Sequence, residues 1–132
     1  MSHVTTASGI EIKDLECLKK AAASCGCEWN EGATEFRTFA GNKGKCLHTI
    51  SHNSKSVTYE IGVNQNADGT YRLDVDNWNN MGGLAKHVGK DAGRLLQNYT
   101  AFVAKKQLRK QGWRFKKDVV TENGCLQLVA QK

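Results

Sequence analysis

The chain has 132 residues, 39% of them hydrophobic, and carries 19 Lys and Arg against 13 Asp and Glu, a formal net charge of +6. This length predicts a single domain spanning residues 1–132. No apolar run approaches the roughly 20 residues of a membrane-spanning helix, so no contact with a membrane is expected. Residues 1–5 lack the charged and apolar pattern of a secretory signal, which predicts a cytoplasmic protein.

The positive charge is concentrated at the C-terminal end of the chain. Residues 1–98 carry 11 cationic and 11 acidic side chains, whereas residues 99–132 carry 8 cationic and 2 acidic ones. Such an asymmetry is typical of a surface that contacts nucleic acid or an acidic protein. A solvated helix end followed by a lysine-rich hairpin produces the same distribution, so the asymmetry alone leaves the partner open.

The N-terminal half reads as a strand, a helix and several short strands. Alternation of Ile10 and Ile12 with polar neighbours predicts a first strand. Asp14 as N-cap and Gly26 as the residue after the helix end predict a helix over residues 15–25. Further strands are predicted over residues 27–29, 35–39 and 46–50, and a hairpin over residues 57–63 and 71–75 with its turn at residues 66–69.

The C-terminal half reads as a long amphipathic helix and a last hairpin. The helix is predicted to run from Leu84 or Asp91 to Lys110 and to end at Gly112. Its apolar stripe comprises Val88, Ala92, Leu95, Leu96, Tyr99, Phe102 and Val103. This stripe should cover a sheet face that carries Tyr59, Ile61, Tyr71 and Leu73. With the last hairpin over residues 113–119 and 125–130, the pattern predicts an α+β domain, a mostly antiparallel sheet covered by two helices.

The cationic end of the second helix is the candidate partner-binding surface. Lys106 and Lys110 continue the stripe of Tyr99 and Val103, and Leu108 points the opposite way. We therefore expect a cationic surface with an exposed leucine beside it. Together with the last hairpin, the candidate residues are Lys105, Lys106, Leu108, Arg109, Lys110, Arg114, Lys116 and Lys117.

The five cysteines allow a metal site but do not require one. Without a secretory signal they are expected to be reduced thiols. Cys25, Cys27, Cys46 and His48 form a candidate Cys3His zinc set, in which Cys46 and His48 would share a strand face. The one-residue gap between the first two cysteines is shorter than the two-residue gap of zinc ribbons. No cofactor is therefore expected, and a zinc-binding or thiol protein remains an alternative.

No catalytic set is recognisable in the sequence. Asp74 and Asp76 share a strand face, where the alternation points them toward water. The segment at residues 41–45 lacks the first glycine and the Ser or Thr of a phosphate-binding loop. The alternation of Trp113 and Phe115 with basic residues is typical both of single-strand nucleic-acid binding and of a half-buried hairpin. We therefore expect that this protein is not an enzyme.

Several segments carry a resemblance to a known family. They are Ser2-His3, Asp14–Ala21, Leu95–Tyr99 and Arg109–Gly112. Over nearly its whole length the chain resembles a family of unknown function that includes the hypothetical chloroplast open reading frame thirty-five and its cyanobacterial and cyanophage relatives. The resemblance implies a small soluble protein of cyanobacteria, plastids or their phages, and it implies no reaction. The short, proline-free chain favours a cyanophage protein.

We expect a small non-enzymatic binding or accessory protein that acts by contact with an unidentified host or cellular protein. The alternative is a nucleic-acid-binding module that uses the same basic region. The two differ in salt response, because phosphate neutralisation makes the logarithm of the binding constant fall linearly with the logarithm of salt concentration.

Overall fold

The computed structural model describes residues 4–115, 119–120, 126–127 and 130–131, with side chains described over residues 4–7 and 10–114. Its elements are β1 (Val4–Ile12), α1 (Leu15–Ser24), β2 (Glu28–Glu31), β3 (Glu35–Arg37), β4 (Lys43–Lys45), β5 (His48–Ser51), β6 (Ile61–Gln65), β7 (Tyr71–Asp76), α2 (Asn79–Gly82), α3 (Ala85–Val88), α4 (Gly93–Lys110), β8 (Arg114–Phe115), β9 (Val119–Val120), β10 (Leu126–Gln127) and β11 (Ala130–Gln131). Short 3₁₀ turns occupy Phe39–Gly41 and Lys90–Ala92.

Five strands form the central antiparallel sheet, in the order β1-β7-β6-β5-β2. Strands β3 and β4 form a separate hairpin, and β8 pairs with β11 while β9 pairs with β10. The predicted α+β class, with a mostly antiparallel sheet and helices, is therefore confirmed. The last hairpin is visible in these pairings, although residues 116–118, 121–125 and 128–129 of the predicted segment lie outside the described residues.

Helices α1 and α4 pack against each other and cover one face of the sheet. Asp14 caps α1 as predicted, since its side chain accepts a hydrogen bond of 3.1 Å from the backbone N–H of Cys17. The core between helices and sheet is mostly apolar, with Asn98 of α4 buried against the end of α1, where it donates a hydrogen bond to Ser24. The core includes Ile12, Leu18, Ile50, Ile61, Val63, Leu73, Val75, Val88, Leu95, Leu96 and Tyr99, with Phe102 and Val103 half-buried at its margin.

The segment before β6 departs from the sequence prediction. The strand begins at Ile61 and not at residue 57, because the preceding backbone bonds elsewhere. Thr58 N–H donates to the carbonyl of Gly82, and Glu60 N–H donates to the carbonyl of Arg37. Tyr59 is buried, but its ring packs over Gly82 and not in the face that α4 covers. The alternation correctly predicted that Tyr59 is buried, but it did not predict that its ring packs against Gly82, which belongs to a later segment of the chain.

Of the two predicted starts of the second helix, Asp91 lies two residues before α4 and Leu84 directly precedes the separate short helix α3. Left-handed backbone interrupts the segment before α4. Asn79, Asn80 and Met81 have φ of 52°, 53° and 58°, and α2 is therefore a single left-handed turn. Asp91 and Ala92 are left-handed too, so α4 begins only at Gly93. Each such residue costs about 1–2 kcal/mol, and the burial of Met81 at 3% exposure helps to hold the turn.

The β3–β4 hairpin covers part of the sheet face that α1 and α4 leave open. The ring of Phe36, 2% exposed, lies between Gly44 of the hairpin and Gly62 of β6. A Cβ at either glycine would overlap this ring. Because both positions are glycine, which has no side chain, the aromatic ring can pack directly on the sheet backbone.

We expect Gly62→Ala to destabilise the protein by about 1–3 kcal/mol, because the ring of Phe36 is confined on both sides and cannot move away. The measurement is urea-induced unfolding. Gly93→Ala is the matched control: a Cβ there meets no atom within 4 Å, and alanine should leave stability unchanged or raise it slightly. Combining Gly62→Ala with Phe36→Leu should recover part of the loss, and equal stability of Gly62→Ala and the parent would contradict this packing.

Candidate functional site

A groove of about 610 Å³ lies between β1, the start of α1 and the C-terminal half of α4. We call it the β1–α4 groove. Its apolar walls come from Ile10, Leu15, Tyr99 and Val103. Its charged rim comprises Lys13, Lys106 and Lys110 together with Glu11, Asp14 and Glu16. The predicted continuation of the apolar stripe into Lys106 and Lys110 is thus one wall of this groove.

The hydroxyl of Tyr99 joins α4 to the turn between β1 and α1. It accepts hydrogen bonds of 2.9 Å from the N–H of Lys13 and 3.2 Å from the N–H of Asp14. Tyr99 is 4% exposed, so these bonds form away from bulk water. The two backbone donors are satisfied by one side-chain oxygen, and the wall of the groove is held at a defined distance from β1.

An ion pair crosses the same joint at the groove rim. Nζ of Lys106 lies 2.6 Å from Oδ2 of Asp14, while the other carboxylate oxygen caps α1. The hydrogen bond from Lys106 lowers the pKa of Asp14, and the same contact raises the pKa of Lys106. A single carboxylate therefore holds the first turn of α1 and the last third of α4 together.

A second cavity, of about 450 Å³, adjoins the groove on the other side of Lys106 and Lys110. We call it the cationic pocket. The described residues that line it are Glu16, Cys17, Lys20, Phe102, Lys105, Lys106, Arg109 and Lys110, five cations against one carboxylate. The two cavities share Glu16, Lys106 and Lys110, so they form one continuous surface.

The structure corrects part of the predicted partner-binding set. Lys105 was predicted on the surface but is only 9% exposed, and Leu108 is half-buried where an exposed leucine was expected. Lys105 lines the cavity between α1 and α4, and the chain after α4 returns to Leu108, whose carbonyl accepts a hydrogen bond from the N–H of Trp113. Periodicity within one helix does not show which of its faces other segments cover.

The rest of the predicted set divides into exposed residues and residues that the structure does not describe. Arg109, Lys110 and Arg114 are exposed, and the side chain of Lys106 is 51% exposed. Lys116 and Lys117 lie outside the described residues. The sequence analysis missed Lys20, which the packing of α1 on α4 brings into the cationic pocket and which no pattern in the sequence indicates.

The candidate zinc set of Cys25, Cys27, Cys46 and His48 is not assembled. The thiol of Cys46 donates to the carbonyl of Ala33 at 3.3 Å, and Nδ1 of His48 accepts from the N–H of Gly32 at 3.1 Å. Burial raises the pKa of Cys27 to about 12 and that of Cys46 to about 11, which favours neutral thiols. Within the described residues, no three His, Cys, Asp or Glu side chains are grouped to hold a metal ion.

Asp74 and Asp76 were predicted to face water, and this prediction is wrong because both are buried. They are 8% and 1% exposed, because the β3–β4 hairpin and the segments beside it cover this face of the sheet. Asp76 accepts backbone hydrogen bonds of 3.0 Å from Phe39 and from Trp78. Asp74 accepts a hydrogen bond of 2.8 Å from Asn64. Both carboxylates therefore bind strands and loops together.

Two histidines stack outside the groove. His52, in the segment after β5, and His87 of α3 have ring centroids 3.7 Å apart and planes inclined by 16°. Burial lowers the pKa of His87, and the neighbouring His52, Lys86 and Arg94 lower it further. Protonation of His87 is therefore less favourable in the folded protein than in the unfolded chain.

Comparison with known proteins assigns the chain to a family without assigning a function. A family model described as a protein of unknown function (DUF1257) matches residues 21–129, and the chain belongs to that family. No curated protein matches, and neither does any solved structure. In the part of the chain that the structure describes, every helix is too short or too polar to cross a lipid bilayer.

We expect Lys106→Met to raise the pKa of the Asp14 carboxyl toward its ordinary value, as measured by NMR titration of that carboxyl. A lowered folded-state pKa contributes stability that is present above the unfolded pKa of about 3.9 and is lost as pH falls through the folded one. The unfolding free energy should therefore depend less steeply on pH below about 4 in the variant. Lys110→Met, on the same helix surface, is the control, and an unchanged Asp14 titration in Lys106→Met would contradict the pair.

The histidine stack should make the protein less stable as pH falls below about 6.5, the ordinary pKa of histidine. Because the folded-state pKa of His87 is lowered, the unfolded chain binds the proton first, and stability decreases down to the folded pKa. His87→Gln should flatten the unfolding free energy between about pH 7 and 5, measured by chemical denaturation. Lys90→Gln should keep the parent's slope, and an equal slope in His87→Gln and the parent would refute this assignment.

Proposed function

We propose that this protein is a non-enzymatic binding protein whose cationic pocket and β1–α4 groove engage an acidic segment of a partner protein. The observation that carries the proposal is the gathering of five cationic side chains around one cavity of about 450 Å³. Four of them are exposed, Lys20 on α1 and Lys106, Arg109 and Lys110 in the last two turns of α4.

Charge and apolar surface occur together on this part of the protein. Over both cavities, the described lining includes six cationic and three acidic side chains. Half-buried Val103 supplies apolar area in the groove, and half-buried Phe102 does so in the cationic pocket. Apolar area excludes water at the centre of an interface, and a charged rim accelerates association and selects a partner of opposite charge. A partner with acidic residues next to apolar ones fits both features.

The polar groups of the two cavities support binding over catalysis. Asp14 is engaged by the α1 cap and by Lys106. Burial raises the pKa of Cys17, which is 3% exposed, so its thiol stays protonated and is a poor nucleophile. General acid–base or nucleophilic chemistry needs a group that is free to exchange a proton, and these two groups are held in structural roles.

The proposal also covers the relatives of this protein and the cell in which it acts. The segments Asp14–Ala21 and Leu95–Tyr99 support kinship with plastid, cyanobacterial and cyanophage proteins, and the short proline-free chain supports a phage origin. The partner is then a protein in the cytoplasm of the host cell. Nucleic acid is the competing ligand for the same cations, and nuclease treatment separates the two.

We expect the triple variant Lys20→Glu, Arg109→Glu and Lys110→Glu to lose partner proteins that the parent captures from nuclease-treated cyanobacterial lysate. Charge reversal turns attraction into repulsion, so loss should be at least tenfold by quantitative mass spectrometry. The matched control is Lys43→Glu, Lys45→Glu and Lys55→Glu, which reverses three exposed lysines outside both cavities.

Thermal melts establish that both triple variants are folded. Capture of the same proteins by the parent and by the cavity variant would refute the proposed surface. Capture that disappears with nuclease in the parent would assign the surface to nucleic acid.

A further inference from the structure

Strand β1 is an edge of the central sheet. In the described sheet its one strand neighbour is β7, so the other side of its backbone lies at the sheet margin. Edge strands present backbone N–H and C=O groups that another strand can pair with, and many proteins protect them with lysine or proline. Over its nine residues, Val4–Ile12, β1 contains no lysine or proline, and Glu11 is its sole charged residue.

The apolar side chains of β1 support the same interpretation. Val4 is 48% exposed and Ile10 is 37% exposed, although both lie on a strand. The register with β7 shifts between Ala7 and Ile12, so the regular edge is residues 4–7, and Ile10 lies in the irregular stretch, where side chains are redirected. Ile12 is buried in the core, whereas Ile10 stands at the margin of the β1–α4 groove.

Among the described residues, the edge formed by β1 and the groove are adjacent, because Ile10 belongs to both. A strand added beside β1 would direct alternate side chains to the helix side of the sheet, where the groove lies. In this mode of recognition, main-chain hydrogen bonds supply affinity and pockets for alternate side chains supply specificity. The walls formed by Leu15 and Val103 can receive apolar side chains, and Lys110, which the groove shares with the cationic pocket, lies at the rim for acidic ones.

Charge favours a partner segment over a second copy of this chain. A twofold pairing of two β1 strands would bring two copies of the same cationic surface toward each other. In the described linings, the β1–α4 groove alone carries three cations and three acids, and the adjoining cationic pocket adds three cations without a further acid, so the continuous surface of each copy is net positive and the copies would repel. An acidic segment gains attraction from the same charges.

We propose that β1 receives, as a sixth strand of the central sheet, an extended partner segment with apolar residues at alternate positions and acidic residues at its ends. This inference rests on the proposed binding function and adds how the partner is held. It requires backbone pairing along β1 in addition to charge.

The test uses a synthetic peptide of sequence EEVTVTVEE with the full-length protein. Fluorescence anisotropy measures affinity, and hydrogen exchange with mass spectrometry measures protection of residues 4–12. The expected result is binding together with at least tenfold slower exchange in that segment, because pairing protects strand amides from opening. A second peptide with the same sequence, N-methylated at its three valines, should bind at least tenfold more weakly. A third, KKVTVTVKK, should also bind at least tenfold more weakly.

A matched pair of protein variants tests the groove. Ile10→Ser should lower the affinity for the acidic peptide several-fold. Leu47→Ser, which alters a leucine of 46% exposure outside both cavities, should leave that affinity unchanged. Thermal melts report whether each variant is folded.

The outcomes distinguish this inference from the proposed function. Absence of peptide binding up to about 1 mM, absence of protection in residues 4–12, or equal affinity of the N-methylated peptide would overturn strand addition. Charge-dependent partner capture would survive any of these results. A dimer whose β1 amides are protected without peptide would assign the edge to a second copy and overturn the partner segment.

Discussion

The joint between α4 and the β1–α1 turn determines the shape of the surface on which the proposed function depends. One tyrosine hydroxyl accepts two consecutive backbone N–H groups, and one carboxylate both caps α1 and pairs with Lys106. The two tyrosine bonds and the Lys106 ion pair join segments more than eighty residues apart in the chain. Because the two cavities lie on either side of this joint, their walls are held by the contacts that join α4 to the β1–α1 turn.

The sheet is covered unequally on its two faces, and this explains where chemistry is available. Helices α1 and α4 give one face an apolar core. The other face carries polar side chains, and the β3–β4 hairpin buries part of it through Phe36. Asp74 and Asp76 are buried there, and their carboxylates accept hydrogen bonds from neighbouring chain segments. Their structural role leaves the cationic surface around α4 as the best-supported place for a ligand.

The cationic surface combines residues from both ends of the chain. Lys20 comes from α1, whereas Arg109 and Lys110 come from the end of α4. Their convergence raises the local positive potential above what the charge of either helix would produce. The adjacent strand edge supplies a different kind of contact, backbone hydrogen bonding, so one partner segment can use both.

Local sequence determined the elements whose stability is itself local. Asp14 and the following helix, the hairpin around residues 66–69, and the apolar stripe of α4 follow from capping chemistry, turn chemistry and periodicity, and they agree with the structure. The α+β class followed from the same patterns. The cationic character of the α4 end was visible as well, because charge is read directly from composition.

Tertiary structure decided which faces were covered. The low exposure of Lys105 and Leu108 depends on how α1 and the chain after α4 pack on that helix. The burial of Asp74 and Asp76 depends on a hairpin formed by an earlier segment and on the turn beside it. The left-handed turn at Asn79–Gly82 opposes local preference and requires long-range contacts such as the bond from Thr58 to Gly82. Periodicity reports that a face is apolar or polar, but burial depends on contacts between segments far apart in sequence, and only the folded chain contains them.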